Sequence, residues 1–186
     1  GKSSVAWILQ HILQNCGLIG TICNRFGDVE IPAVYTTPDA SQLYPLLAQM
    51  ATAGCEYVVM EASSQAIAQQ RLAGLTFELG IFTNLAPDHI GPNEHASFEE
   101  YAQCKGMLFK QCKVGIANAD DENFEMVMKD HTCTLETIGF SEKADLRAKD
   151  TRLVSTPGSL GVAYEVTGLM NFDVEIDIPG KCSVYN

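Results

Sequence analysis

The feature that most constrains this chain is an alternation of short apolar runs with helix-like segments over its first 140 residues or so. The apolar runs include LIGTIC (18–23), YVVM (57–60), ELGIF (78–82), VGIAN (114–118) and TLETIG (134–139). Most of these runs are separated by segments whose apolar residues recur at helical spacing, such as 5–13, 41–54, 97–111 and 122–131. This alternation predicts an α/β fold with a mainly parallel sheet and helices on both faces.

The pattern changes after about residue 141. The segments DLRAKDTRLV, SLGVAYEVTG and FDVEIDI are short alternating runs separated by turn residues, which predicts a small antiparallel sheet over about 142–180 beside an α/β core over about 1–141. The closing IPGKCSVYN is read as the start of another helix. Both ends of the chain look truncated.

Composition excludes several classes of protein. The 186 residues are 46% hydrophobic, as in a globular domain, and the net charge of −11 argues against nucleic acid as the main partner. No apolar run approaches the ~20 residues that cross a bilayer, and no signal peptide is visible, so we expect a cytoplasmic protein with no membrane partner. The seven cysteines include no C-x-x-C pair, which predicts reduced thiols rather than disulfides or a zinc site.

The chain begins with GKSS, which matches the second half of the phosphate-binding loop G-x-x-x-x-G-K-[ST]. In that interpretation Lys2 and the first N–H groups of a helix hold the phosphates of a nucleotide, while Ser3 binds Mg²⁺. The strand and first glycine that would confirm the loop lie before residue 1. A plain helix N-cap therefore stays open as the alternative.

Polar side chains follow two predicted strands. Glu61 comes directly after YVVM, and Asn84, Asp88 and His89 follow the next strand. Ligands of open α/β sheets bind at this carboxyl edge, where Glu61 and His89 could hold a metal. The alternatives are a Glu61 satisfied by the N–H groups of a following helix and a structural loop histidine.

Lys105 interrupts an otherwise apolar helix face. The apolar positions of that face are Phe98, Tyr101, Ala102, Leu108 and Phe109. A lysine there must extend its ammonium to solvent, pair with an acid, or lose its charge. A neutral lysine amine is a nucleophile that can be modified.

Taken in order, the motifs GKSS, YTTPDA, VVMEASSQAIAQQRLAG, FELGIFTNLAPDHI, FEEYAQCKGMLF, NADD and GKCSVYN resemble the Mur ligase family. The TTP element and the QxRLxG stretch are most similar to the tripeptide synthetases within that family. The resemblance spans 1–186 and implies the central ATP-binding domain, with a uridine-binding domain before it and an amino-acid-binding domain after it. As an isolated piece, the chain is expected to be inactive.

The resemblance implies ATP-dependent amide bond formation with Mg²⁺ as cofactor. The partners would be UDP-N-acetylmuramoyl-L-alanyl-D-glutamate and an incoming amino acid, lysine or diaminopimelate, in peptidoglycan precursor synthesis. The substrate carboxylate would take the γ-phosphoryl group to give an acyl phosphate, which the amine of the amino acid then attacks. Metal ions and a lysine would neutralise the charge on ATP and on these intermediates.

The resemblance also assigns roles to individual positions. The ATP-binding set is Gly1, Lys2, Ser3, Ser4, Asn84 and Asn186. The catalytic set is Lys2, Glu61, His89 and Lys105, with Ser3, Glu61, His89 and a carbamate on Lys105 as metal ligands. The set for the muramoyl dipeptide is Thr36, Thr37, Ser63, Gln69 and Arg71.

Three departures from the family pattern keep alternatives open. Gln65 stands where the family has His. The loop around His89 is altered by Pro87, Gly91 and Pro92. The expected G-x-F/H-N is replaced by Gly180-Lys181-Cys182-Ser183. The alternatives are a divergent ligase of the folylpolyglutamate or cyanophycin synthetase type and a nucleotide-binding module without catalysis.

Overall fold

The computed structural model describes residues 1–87, 90–91, 95–156 and 158–185. Within the last range, it describes the backbone of Lys181 but not its side chain. Contacts within the chain divide it into two compact units. The N-terminal unit contains the described residues of 2–75 and 89–105, and the C-terminal unit contains residue 1 and the described residues of 76–88 and 106–186.

The N-terminal unit is built on a four-stranded mixed sheet. Its elements are α1 (Lys2–Ile12), β1 (Cys16–Ile19), β2 (Cys23–Phe26), β3 (Val29–Pro32), α2 (Ala40–Thr52), β4 (Tyr57–Met60), α3 (Ser64–Ala68) and α4 (Phe98–Gly106, its last residue in the other unit). The strand order is β3-β2-β1-β4, with β1 parallel to β4 and the two other pairs antiparallel. The parallel pair brings the carboxyl ends of β1 and β4 to one edge of the sheet.

The strand predicted over 18–23 is wrong in its extent. Strand β1 ends at Ile19, the chain turns, and β2 and β3 form a hairpin over 23–32 that was not predicted. Each of its strands has only four residues, so the alternation of Val29, Glu30 and Ile31 is too short to distinguish a strand from a loop. Gly27, with φ of 52°, supplies the left-handed conformation of its turn.

The core of the N-terminal unit lies between the sheet and its helices. Its most buried side chains include Leu18, Ile19, Leu43, Met50 and Leu72. Burying each large apolar side chain contributes about 1.5–3 kcal/mol. Helix α2 runs unbroken through Pro45, although an internal proline removes a backbone hydrogen bond of the helix.

The C-terminal unit is built on a single six-stranded sheet. Its elements are β5 (Phe77–Phe82), a 3₁₀ helix (Met107–Lys110), β6 (Cys112–Asn118), α5 (Phe124–Met128), β7 (Thr134–Gly139), β8 (Leu146–Thr156), β9 (Ser159–Gly168), β10 (Phe172–Ile176) and a 3₁₀ helix (Lys181–Tyr185). Strands β5 to β8 pair in parallel, and β8, β9 and β10 are antiparallel. The predicted fold class is confirmed, and the antiparallel strands continue the parallel sheet through β8.

Two helix predictions need correction. The helix expected over 97–111 ends at Gly106 and continues as the 3₁₀ helix, so Leu108 and Phe109 do not lie on the same helix as Lys105. A Cβ at Gly106 would lie 2.3 Å from the carbonyl oxygen of Val127, so only glycine allows this close approach. The closing segment forms a 3₁₀ helix rather than an α-helix. No helix among the described residues is long and apolar enough to cross a membrane.

Candidate functional site

The site forms at the edge of the N-terminal sheet where β1 and β4 end. Glu61 follows β4, and its backbone N–H donates to the carbonyl oxygen of Ile19 at 2.9 Å. The Glu61 side chain is 4% exposed. A Cβ at Gly20 would lie 2.6 Å from Glu61 Oε1, so the absence of a side chain at Gly20 leaves room for this carboxylate.

The Glu61 carboxylate accepts hydrogen bonds from three donors. The backbone N–H of Thr21 donates to Oε1 at 2.9 Å, and the hydroxyls of Ser3 and Thr21 donate to Oε2 at 2.9 and 3.2 Å. Among the ion pairs of the described residues, none involves Glu61. A buried carboxylate without a cationic partner is costly, so this arrangement suits a positively charged ligand.

Threonine hydroxyls extend this arrangement into a connected network. Thr36 Oγ1 lies 3.2 Å from Thr21 Oγ1, and Thr37 Oγ1 donates to the Glu61 carbonyl oxygen at 2.7 Å. We call Ser3, Thr21, Thr36, Thr37 and Glu61 the Glu61 cluster. Thr37 is 1% exposed, and its hydroxyl also accepts from the Ser63 N–H at 3.0 Å. Both roles of the Thr37 hydroxyl therefore serve to position the backbone around Glu61.

Arg71 joins the same network from the turn after α3. Its Nη1 donates to the carbonyl oxygen of Thr37 at 2.8 Å, and its Nε and Nη2 donate to Gln69 Oε1 at 2.9 and 2.6 Å. Nε also lies 3.0 Å from Asp39 Oδ1, and the guanidinium lies 5.4 Å from the ring centroid of Tyr35. These contacts use three of its five N–H groups, which leaves one on each terminal nitrogen for a carboxylate.

Helix α1 brings its first turn to the Glu61 cluster. The helix begins at Lys2, and its second residue, Ser3, makes the 2.9 Å contact with Glu61. The first N–H groups of a helix have no partner within it, and they favour bound anions. Lys2 and Ser4 are exposed. Lys2, whose side chain is cationic, is thus accessible to a ligand at this helix start.

The oxygen atoms of the cluster fit Mg²⁺. Mg²⁺ prefers oxygen ligands at 2.0–2.1 Å in octahedral geometry, so adjacent ligands lie about 2.9 Å apart. Ser3 Oγ and Glu61 Oε2 are 2.9 Å apart. The hydroxyl proton of Ser3 can rotate away and leave a lone pair for the ion. Ser3 and Glu61 are therefore the residues that would hold the metal.

The remaining predicted residues are placed as follows. Lys105 is half-buried on α4, with its Nζ 4.9 Å from the ring centroid of Tyr101. Asn84 is exposed in the C-terminal unit, where its Oδ1 accepts from the Thr83 hydroxyl at 3.2 Å. Gly1 belongs to the same unit and lies against Thr83 and Asn84, since a Cβ on Gly1 would be 3.2 Å from Asn84 Oδ1. His89 and Asn186 lie outside the described residues.

The structure adds residues that the sequence analysis missed. Thr21, Tyr35 and Asp39 all contact predicted site residues. A signal for Thr21 was present, because it follows the apolar run of β1 as Glu61 follows that of β4. The reading of 18–23 as one continuous strand concealed it. Tyr35 and Asp39 lie within the motif YTTPDA, but the motif gave neither residue a role.

Comparison with known proteins identifies the family of this chain. The sequence matches the family description "Mur ligase middle domain" over residues 1–186. The chain belongs to the Mur ligase family. A 2,6-diaminopimelate ligase (ligase 1) of Clostridium acetobutylicum, named for the substrate UDP-N-acetylmuramoyl-L-alanyl-D-glutamate, is 40% identical over 190 residues. A ligase of the same name from Caldanaerobacter subterraneus is 37% identical over 193 residues. Both alignments cover 100% of this chain.

A solved structure shows the same fold. It is titled as a UDP-N-acetylmuramoyl-L-alanyl-D-glutamate–2,6-diaminopimelate ligase, and it superposes with a TM-score of 0.83 at 27% identity over 99% of this chain. The chain spans 38% of that protein and 38–39% of the two relatives. The family resemblance and the fold class are confirmed. The roles of individual site residues in this Mur ligase domain, and its boundaries, stay predictions.

Proposed function

We propose that this chain is the ATP-binding middle domain of a ligase that joins diaminopimelate to UDP-N-acetylmuramoyl-L-alanyl-D-glutamate, in the cytoplasm, for peptidoglycan precursor synthesis. The names of the relatives favour diaminopimelate over lysine as the amino acid. The relatives are more than twice as long as the chain, so the proposed activity is that of the whole polypeptide.

The observation that carries the proposal is the contact between Ser3 and Glu61. It joins the start of α1 to the edge of the sheet, with two oxygen ligands at the spacing of adjacent Mg²⁺ ligands. A phosphate held by the N–H groups of α1 would lie next to that ion. Mg²⁺, when bound, supplies positive charge that neutralises the phosphates and the developing negative charge.

In the proposed reaction, the substrate carboxylate attacks the γ-phosphorus of ATP and the bond to ADP breaks. The product is an acyl phosphate. The amine of diaminopimelate then attacks the acyl carbon, loses a proton, and inorganic phosphate leaves as the amide forms. Lys2 would hold the β- and γ-phosphates during the first step, and Ser3 and Ser4 would lie at the phosphate end of α1.

We assign the dipeptide to the surface around Arg71. The two unused N–H groups on its terminal nitrogens suit a carboxylate. Gln69 and Asp39 hold the guanidinium in place. Thr36 and Ser63 would add hydroxyl contacts, and Thr37 would act by holding the Glu61 backbone, since its own hydroxyl is buried and occupied.

Lys105 is proposed to carry a carbamate that, with His89, holds a second cation. Lys105 lies half-buried on α4, and a lysine amine in its neutral form can take up CO₂ to give the carbamate. We further assign Gly1, Asn84 and Asn186 to the nucleotide, with the two asparagines near the adenine.

Phosphate release by the complete gene product tests this function. The assay contains ATP, Mg²⁺ and UDP-N-acetylmuramoyl-L-alanyl-D-glutamate, with meso-diaminopimelate or L-lysine in parallel. We expect release that needs both substrates, prefers meso-diaminopimelate, and is lost in Lys105→Ala.

A Lys113→Ala variant is the matched control, because Lys113 is exposed and pairs only with Glu78 among the described residues. It should release phosphate like the parent. ATP binding without release with either amino acid would contradict the proposal and favour a non-catalytic module. Release with glutamate-containing acceptors of another class would favour a divergent ligase.

A further inference from the structure

A second group of metal-ligating side chains lies on and beside α4, outside the Glu61 cluster. His95, Glu100 and Cys104 each place one donor atom within 4.8 Å of the other two. Glu100 and Cys104 are four residues apart on α4 and therefore share a face of the helix. The sequence analysis gave no reason to expect this group, because no cysteine spacing marks it.

The ring of His95 is oriented as a metal ligand requires. His95 is 2% exposed, and its Nε2 lies 2.9 Å from the hydroxyl oxygen of Ser64. If Nε2 carries the proton and donates to Ser64, the lone pair lies on Nδ1, which faces Glu100 Oε1 at 3.9 Å. Metal-bound histidines almost always donate their other N–H in this way. The Tyr101 ring packs against His95 at 5.1 Å between centroids and restrains it further.

Glu100 is also held in position. Its Oε2 accepts from the N–H of Ala96 at 2.9 Å, and its own N–H donates to Ser97 Oγ at 3.1 Å. This capping arrangement occupies one carboxylate oxygen and leaves Oε1 directed toward His95. Two ligands of a tetrahedral zinc ion at about 2.1 Å lie about 3.4 Å apart. The observed 3.9 Å between His95 Nδ1 and Glu100 Oε1 needs only a small closure.

We propose that His95, Glu100 and Cys104 form a site for one zinc-like divalent cation, separate from the magnesium site at Glu61. The donor set of one imidazole, one carboxylate and one thiolate suits Zn²⁺ and not Mg²⁺. With three protein ligands, a water molecule would complete a tetrahedral site. The ion would tie the segment at His95 to α4, the helix that carries Lys105.

Titration of the purified, reduced protein with Co²⁺ tests the site. Co²⁺ replaces Zn²⁺ and gives a thiolate-to-metal charge-transfer band in the near ultraviolet. We expect one Co²⁺ per chain with that band, and its displacement by Zn²⁺. Cys104→Ser should abolish the band, while Cys55→Ser, a change at another half-buried cysteine, should keep it. Ser64→Ala should weaken Co²⁺ binding by about 10- to 100-fold, because it removes the partner of the histidine.

Folding controls keep these outcomes interpretable. Each variant is compared with the parent by thermal unfolding without metal, and Glu100→Gln preserves the cap because glutamine can accept the same N–H. A band that survives in Cys104→Ser, or no band in the folded parent protein, would overturn the proposal. Neither result depends on ATP or on ligase activity, so it would leave the proposed function untouched.

Discussion

Strands β4 and β6 both run into carboxylates, but hydroxyl donors predominate at one carboxylate and backbone N–H donors at the other. At the end of β4, Glu61 accepts from two side-chain hydroxyls and one backbone N–H. After β6, Asp120 accepts from the backbone N–H groups of Phe140 and Ser141 at 2.5 and 3.0 Å and from the Tyr185 hydroxyl at 2.9 Å. The sequence pattern, an apolar strand followed by an acid, is the same in both places.

We interpret this difference as one between the proposed ligand site and a structural contact. A backbone N–H is fixed by the fold and can only donate, so the Asp120 carboxylate is committed to holding the turn after β7. A hydroxyl can rotate its proton away and offer a lone pair to a cation. The hydroxyls of Ser3 and Thr21 can therefore change partners when a metal binds, while Glu61 stays in place.

The largest effect is expected from Glu61→Gln. Glutamine can still accept the Thr21 N–H, so the fold should survive, but the negative charge that we propose holds Mg²⁺ is lost. We expect Mg²⁺-dependent ATP binding to weaken by at least about 100-fold, because even groups that only support a metal ligand account for 10- to 100-fold. Calorimetric titration with ATP at fixed Mg²⁺ measures this.

Asp120→Asn is the matched control for that experiment. It removes a charge from the other strand end and should leave ATP affinity unchanged. An equal loss of affinity in both variants would contradict the distinction between the two carboxylates.

The second prediction concerns the residue that positions Glu61. Thr37→Val keeps the size of the side chain but removes the hydroxyl that bonds the Glu61 carbonyl oxygen and the Ser63 N–H. Both groups are left without their partner in a buried place, which should lower the free energy of unfolding by about 2–3 kcal/mol. Urea denaturation measures the loss, and Thr37→Ser should recover most of it. Equal stability of Val and Ser variants would show that the hydroxyl does not hold this segment.

A smaller loss is expected from Asp120→Ala. The variant leaves the N–H groups of Phe140 and Ser141 without their acceptor, but Asp120 is exposed and water can replace it in part. We expect a decrease of about 1–2 kcal/mol in the free energy of unfolding. The same urea experiment measures it. A loss larger than that of Thr37→Val would reverse the order predicted from burial.

The smallest effect at neutral pH is expected from Tyr185→Phe. Burial, followed by the hydrogen bond to Asp120, raises the pKa of the Tyr185 hydroxyl above its usual value of about 10. The protonated phenol is therefore favoured in the folded state. Its stabilising contribution is fully present below pH ~10 and is lost as the pH rises toward the folded-state pKa.

The stability of the parent should accordingly decrease more steeply above pH ~10 than that of Tyr185→Phe. Unfolding midpoints measured across the alkaline range give the two slopes. Parallel slopes would mean that Tyr185 titrates in the same way folded and unfolded.

Short apolar runs predicted the α/β class and the parallel strands, because strands covered on both faces favour apolar residues, even though β4, β5 and β7 each keep exposed positions. Periodicity failed on the hairpin over 23–32, whose strands have only four residues each, and on the end of α4, which a close approach at Gly106 decides. Chain order likewise indicated that Glu61 ends a strand, but not which donors surround it.

The fold class, the family and most of the residues around Glu61 could be inferred from the sequence, because the succession of elements and the local motifs are encoded along the chain. How those residues act together depends on tertiary packing. The 2.9 Å contact between Ser3 and Glu61 joins residues 58 positions apart, and the grouping of His95 with Glu100 and Cys104 depends on how α4 packs. Such juxtapositions arise from packing between distant segments, which no local pattern of residues encodes.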